Sequence, residues 1–145
     1  MNMKMNLISL FVLVLTFIMF VGCSSVDDCI ISNVSTGKVV ASFSTKKHED
    51  ETIMLVDAEN NVSEKAVKVK SKPKYMVHFV DPKSSLHDVY YYLYIEKENM
   101  YIQYNMDKMN KLEERFHVGL DDSIKKTNGI TVDEFNSILT KFKVD

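Results

Sequence analysis

Glycine is scarce in this chain. Four residues in 145 are glycine, and they stand far apart, so no glycine-rich loop can cradle a phosphate. No Gly-x-Ser-x-Gly elbow and no His-Glu-x-x-His helix occurs either. Cysteine is scarcer, with only Cys23 and Cys29, and tryptophan is absent. A surplus of basic charge is also missing. The formal net charge is −2, which gives no footprint for nucleic acid. Four histidines are present, His48, His78, His87 and His117, but none has metal-ligand spacing with another or with Cys29. Asp121-Asp122-Ser123 lacks the later oxygen ligands and the glycine of a calcium loop. No internal repeat is visible. The sequence therefore predicts no cofactor, no metal and no enzyme chemistry of a recognised motif class, although sites are spatial constellations that motifs do not exhaust.

What is present begins at the N-terminus. Met1 to Asn6 is short and polar with Lys4, and Leu7 to Gly22 is almost wholly apolar. A basic n-region, an apolar h-region and a small residue before a cleavage point make a secretory signal. The run falls short of the about 20 apolar residues of a membrane span. It ends on Phe20-Val21-Gly22-Cys23-Ser24-Ser25. Phe20 to Cys23 resembles the lipobox of bacterial lipoproteins, with Phe20 standing where that family usually has leucine. The resemblance implies that Cys23 is acylated on sulfur and becomes the first residue after cleavage behind Gly22. Read from the residues alone, an ordinary secretory signal and an uncleaved N-terminal anchor remain as alternatives. On the lipoprotein reading, residues 1–22 are the signal peptide, 23–28 a lipidated tether and 29–145 a single extracytoplasmic domain. Two or three acyl chains hold a protein at a membrane where one alone is marginal. Cys29 then has no intramolecular partner and is expected as a small apolar residue at the start of the first strand.

Cys29 to Val34 and Val39 to Ser44 read as strands about a turn at Ser35-Thr36-Gly37-Lys38. Glu49 to Asn61 reads as a helix with Asp50 as N-cap, or else as a strand at Ile53 to Val56. The helix is the preferred reading. Lys65 to Lys74 holds five lysines, and in Val67-Lys68-Val69-Lys70 the two residue types alternate. This is either a sheet edge protected by lysine and Pro73, or a basic patch for an anionic lipid or wall polymer. The edge reading is preferred. Lys74 to Val80 is a strand, and Asp81 to Ser85 a loop.

The segment His87 to Asn105, HDVYYYLYIEKENMYIQYN, is the strongest local signal. Two apolar runs flank Glu98-Asn99, so a hairpin centred there is predicted. That centre sets Ile95 opposite Ile102, Leu93 opposite Tyr104 and Tyr91 opposite Met106, as one apolar face. The period of two then puts Tyr90, Tyr92, Tyr94 and Tyr101 on the other face with Glu96, Gln103 and Asn105. Tyrosine offers large contact area with a polar tip and is enriched at interfaces. Tyr90, Tyr92, Tyr94 and Tyr101 are therefore the candidate contact surface. The competing reading is that tyrosine simply favours strands.

Arg115 to Val118 reads as a short strand and Asp121 to Thr127 as one or two helical turns stopped by Gly129. The last helix is clearer. Thr131 and Glu134 form a capping box, Ile130 can staple onto Phe135, and Phe135, Ile138, Leu139 and Phe142 follow helical spacing. Segregated strands and helices predict an α+β fold. Its antiparallel meander carries one short helix after the early strands and a C-terminal amphipathic helix packed on the sheet.

The order of elements resembles a group of small lipoproteins of Gram-positive bacteria called YhfM-like. They share a lipobox, a short helix after an early strand and a Pro-x-Tyr-x-Val-x-Phe strand, here Pro73 to Phe79. The resemblance implies a domain lipid-anchored on the outer face of the cell membrane and transfers no catalytic residue. The expected function is a non-enzymatic binding module for a protein or peptide partner. The alternative is an immunity-type or inhibitor lipoprotein that acts on a toxin or exported enzyme.

Overall fold

The computed structural model describes residues 26–80, 88–108 and 121–145. Six strands, β1 (Cys29–Asn33), β2 (Val39–Phe43), β3 (Tyr75–Phe79), β4 (Val89–Glu96), β5 (Asn99–Tyr104) and β6 (Lys125–Thr127), form one antiparallel sheet in the order β2-β1-β3-β4-β5-β6. Two helices, α1 (Glu49–Asn60) and α2 (Val132–Lys141), complete the α+β architecture. β3 to β6 are a meander. The β1–β2 hairpin joins it through β1, so that β1 lies between β2 and β3.

Local chemistry explains the turns. The Asn33 side-chain oxygen accepts from Ser35 Oγ at 2.7 Å and from the Thr36 amide at 3.1 Å, and Gly37 takes the left-handed φ of 71°. Glycine reaches that region without steric cost. The β4–β5 hairpin turns one residue earlier than the sequence predicts, which shifts the pairing register by two. Glu96 pairs with Asn99, Ile95 with Met100, Leu93 with Ile102 and Tyr91 with Tyr104, around a loop of Lys97 and Glu98. Lys97 supplies the left-handed position at φ 56°. A register error of two keeps every side chain on its predicted face, whereas an error of one would have reversed them.

Both helices lie on the same face of the sheet. Leu55 and Ala58 of α1 and Phe135 and Ile138 of α2 join Ile31, Val77, Leu93 and Ile102 in one core. Fully burying a side chain of this size contributes about 1.5–3 kcal/mol. The Thr131 capping box forms as predicted: its hydroxyl accepts from the Glu134 amide at 3.1 Å, and its amide donates to Glu134 Oε1 at 3.0 Å. Phe142 then stacks on Phe43 with ring centroids 4.5 Å apart.

α1 is helical, as preferred, but its N-cap is His48 rather than Asp50, and no side chain caps it. The His48 ring is instead packed edge-on against Phe142, at 4.6 Å. Three acidic residues in the first turn, Glu49, Asp50 and Glu51, complement the helix dipole in place of a cap.

Two expectations are overturned. Residues 125–127 are β6, not a helical turn, because Lys125 and Thr127 pair with Ile102 and Met100 on the open side of β5. Residues 65–74 are not a strand. They form a strap that runs beside β6, with the Val67 amide donating to the Ile124 carbonyl at 2.8 Å. The strap then crosses to β3, and its Lys70 and Ser71 amides both donate to Glu96 Oε1 at 3.1 Å. The predicted strand at residues 115–118 and the loop at 81–85 lie outside the described residues.

Candidate functional site

Alternation along β4 and β5 gives the second face of the sheet Tyr90, Tyr92, Tyr94, Tyr101 and Gln103. Neither helix packs against it, since both contribute to the core on the other side. Two hydroxyls on this face, those of Tyr92 and Tyr94, are tied down. Tyr94 donates to Gln103 Oε1 at 2.6 Å, and Gln103 Nε2 donates to the Asp122 carbonyl at 2.8 Å. Asn105, itself only 7% exposed, donates from Nδ2 to the Tyr92 hydroxyl at 2.9 Å. A buried amide with its partners in place fixes side-chain geometry. This part of the face is therefore preorganised, with the Tyr92 and Tyr94 rings held in set positions.

The four tyrosines are not equivalent. Tyr90, Tyr92 and Tyr101 are half-buried, whereas Tyr94 is 6% exposed. Burial, with the neighbouring Tyr92 as a smaller influence, raises the pKa of the Tyr94 phenol above its usual value. Tyr94 is paired directly with Tyr101, near the end of the sheet that the strap crosses beside Glu96. It acts as a prop, and Tyr90, Tyr92 and Tyr101 present the contact area.

At the other end of this face, His78 of β3 is the register partner of Tyr90. The two rings stack at 3.9 Å with an interplanar angle of 13°. His78 Nε2 lies 3.2 Å from Asp88 Oδ2. Lys108 Nζ sits 5.7 Å above the Tyr90 ring, a cation–π distance. Among the described residues Asp88 is the charged partner shown for His78, and His87 lies outside them. A histidine held by a carboxylate and an aromatic face is an orienting pair. It becomes catalytic only with a nucleophile in reach.

A second cluster escaped the sequence. Glu59, in the last turn of α1, lines a small cleft with Tyr104, Val62, Asp121, Ser123 and Lys125. Burial pushes its carboxyl up to about 7, partly opposed by the hydrogen bond from the Tyr104 hydroxyl at 3.3 Å. Tyr104 is raised in turn, by burial first and then by the Glu59 charge. No motif marks Glu59, because its setting exists only once α1 lies on β5.

Cys29 is fully buried at the first position of β1, as expected, and burial followed by the charges of Asp28 and Asp27 pushes its thiol up. A thiol so protonated is unreactive. Cys23 lies outside the described residues. Among the described residues no three histidine, cysteine or acidic side chains stand together as metal ligands, and no helix is long and apolar enough to cross a membrane. No family model, no curated protein and no solved structure matches this chain.

Proposed function

We propose that the chain is a bacterial lipoprotein, acylated at Cys23, whose domain works as a non-enzymatic binding module at the outer face of the cell membrane. The observation that carries the reading is a sheet whose second face, among the described residues, is covered by neither helix. Both helices lie on one face, and on the other Tyr92 and Tyr94 are hydrogen-bonded, Tyr90 is stacked on His78 and Tyr101 stands beside Tyr94. Rigid aromatic area with polar tips binds at low entropic cost, because few rotors remain to be frozen. The occupant proposed is a protein or peptide partner that lies across β4 and β5. The N-terminal lipobox resemblance supports the address, and the apolar run followed by Gly22-Cys23 supports acylation.

The test is site-specific photocrosslinking in cells. A photoreactive residue at position 92 or 101 is expected to give one discrete adduct in the membrane fraction. The same residue at Ile53, exposed on α1, is expected to give none. Equal crosslinking from both faces, or none from the tyrosine face, contradicts the reading.

A further inference from the structure

A groove opens where the end of α2 meets the corner of the sheet built by β1, β2 and β3. Val40, Tyr75, Leu139 and Val144 give it an apolar lining, with Asn33, Thr140 and Lys143 beside them. Its volume is about 370 Å³, within the roughly 300–1,000 Å³ of small-molecule sites. We infer that this groove binds an aliphatic carboxylate, a hydrocarbon chain that ends in one negative charge.

A bulge in the sheet shapes the apolar floor. Ile31 pairs with Ala41 but Ser32 pairs with Val39, so Val40 is an extra residue in β2. Under strict alternation Val40 would face away from the helices, because its neighbour Ala41 faces the core. A bulge re-aims a side chain, and Val40 packs against the core side instead. Residues 142–144 form the outer wall along β2. The Ser42 amide donates to the Phe142 carbonyl at 3.2 Å, and the Val144 amide donates to the Val40 carbonyl at 3.0 Å. Val144 lines the groove yet stays 40% exposed. Apolar surface is thus left to water there, and an apolar occupant removes it.

The charge beside this lining has one sign. Lys143 bridges Ala41 across the β2 edge, and directly opposed residues send their side chains to the same face. Ala41 is buried in the core, so the Lys143 stem starts on the helix side, where the groove is. Lys74 Nζ lies 5.7 Å from the centroid of the Tyr75 ring, which is part of the lining. No carboxylate lines the groove. The ion pairs among the described residues, His78 with Asp88 and Lys141 with Glu51, involve neither lysine, and Asp145 pairs with neither. An anion that enters beside the lining can take charge-assisted hydrogen bonds from both ammoniums.

The polar atoms favour a hydrocarbon chain over a peptide. The Val40 carbonyl is taken by Val144, and the Asn33 side-chain oxygen by Ser35 and Thr36. A peptide would bring N–H donors to acceptors already engaged, and a buried donor without a partner is costly. An aliphatic carboxylate brings acceptors only, and it meets donors. The groove is on the helix side of the sheet, away from the tyrosine face, and its chemistry does not depend on acylation of Cys23.

The test uses the full chain in phosphatidylcholine nanodiscs, with isotope-labelled methyl groups read by nuclear magnetic resonance. Octanoate is the probe, its free concentration set by dialysis. It is expected to shift the methyl signals of Val40, Leu139 and Val144 saturably and to leave Ile53, exposed on α1, unmoved. Joint Lys74→Gln and Lys143→Gln replacement is expected to weaken binding about tenfold or more. The charge-matched pair Lys46→Gln and Lys47→Gln, in the turn that Asp28 holds through Thr45, is expected to stay within about twofold. Octanol, the same chain without the charge, is expected to bind about tenfold or more weakly than octanoate. Methyl spectra unchanged without ligand secure the fold of each variant. No saturable shift, equal losses in the two double variants, or octanol bound as tightly as octanoate overturns the inference. So does tighter binding of N-acetylglycylleucine, an apolar residue whose carboxylate ends a peptide.

Discussion

The hydroxyl of Tyr91 donates to the backbone carbonyl of Leu55 at 2.9 Å, in a site from which solvent is wholly excluded. Tyr90 and Tyr92, its neighbours in sequence, point to the other face of the sheet. One residue type, three times in succession, thus supplies the join between β4 and α1 and two members of the contact face. Tyr91→Phe removes the bond but keeps the ring, and Leu55, inside a helix, still has its helical partner. The expected loss is about 1 kcal/mol, read by urea denaturation. Tyr91→Ala is expected to cost about 3–5 kcal/mol because it also empties the core. A Phe variant as unstable as the Ala variant would contradict this division.

Gly129 is expected to tolerate no side chain. A Cβ there would stand 1.9 Å from the Asp57 carbonyl oxygen and 2.7 Å from the Ala58 amide nitrogen, both backbone atoms that cannot swing aside. The sequence marks this glycine only as a helix stop. Its role is the close approach of the turn after β6 to the last turn of α1. Next to it, the Thr127 hydroxyl donates to the Ala58 carbonyl at 2.6 Å. Gly129→Ala is expected to lower stability by about 3 kcal/mol or more, measured as a fall in the denaturation midpoint. A midpoint within error of wild type would remove this contact from the account.

Glu59 sets a pH dependence. Its carboxyl titrates at about 7 in the folded protein against 4.5 ordinarily, so the folded state holds a proton that the unfolded chain has released. Stability from this group is fully present below pH 4.5 and falls as pH rises to about 7, beyond which it levels off. Lys125 and Asp121 share the cleft, and the Tyr104 hydroxyl is the direct partner. Glu59→Gln is expected to match wild type near pH 4.5 and to exceed it at pH 8 by on the order of 1–3 kcal/mol. Denaturation curves at stepped pH check this, and parallel pH profiles for the two proteins would contradict it.

Elements governed by neighbours in sequence were legible. The capping box and the Phe135-Ile138 stripe of α2 depend on residues three and four apart, and the faces of β4 and β5 on residues two apart. The hairpin centre was not, because Asn99 looks like a turn residue while the left-handed position falls on Lys97, a residue type with no turn signature. α1 was ambiguous because only Leu55 and Ala58 of its twelve residues are fully buried, leaving a weak stripe. β6 is three residues long and exists only because β5 offers it an edge. The tyrosine face was read from alternation. The burial of Tyr94 depends on packing across the sheet, which no local pattern encodes.

The central claim is a lipid-anchored module, and the intact mass of the protein from the membrane fraction, beside Cys23→Ala, tests it most directly. The account predicts a chain that begins at Cys23 and carries the added mass of a diacylglycerol, with both cleavage and added mass abolished by the substitution. An uncleaved chain, or a cleaved chain without lipid, would contradict it.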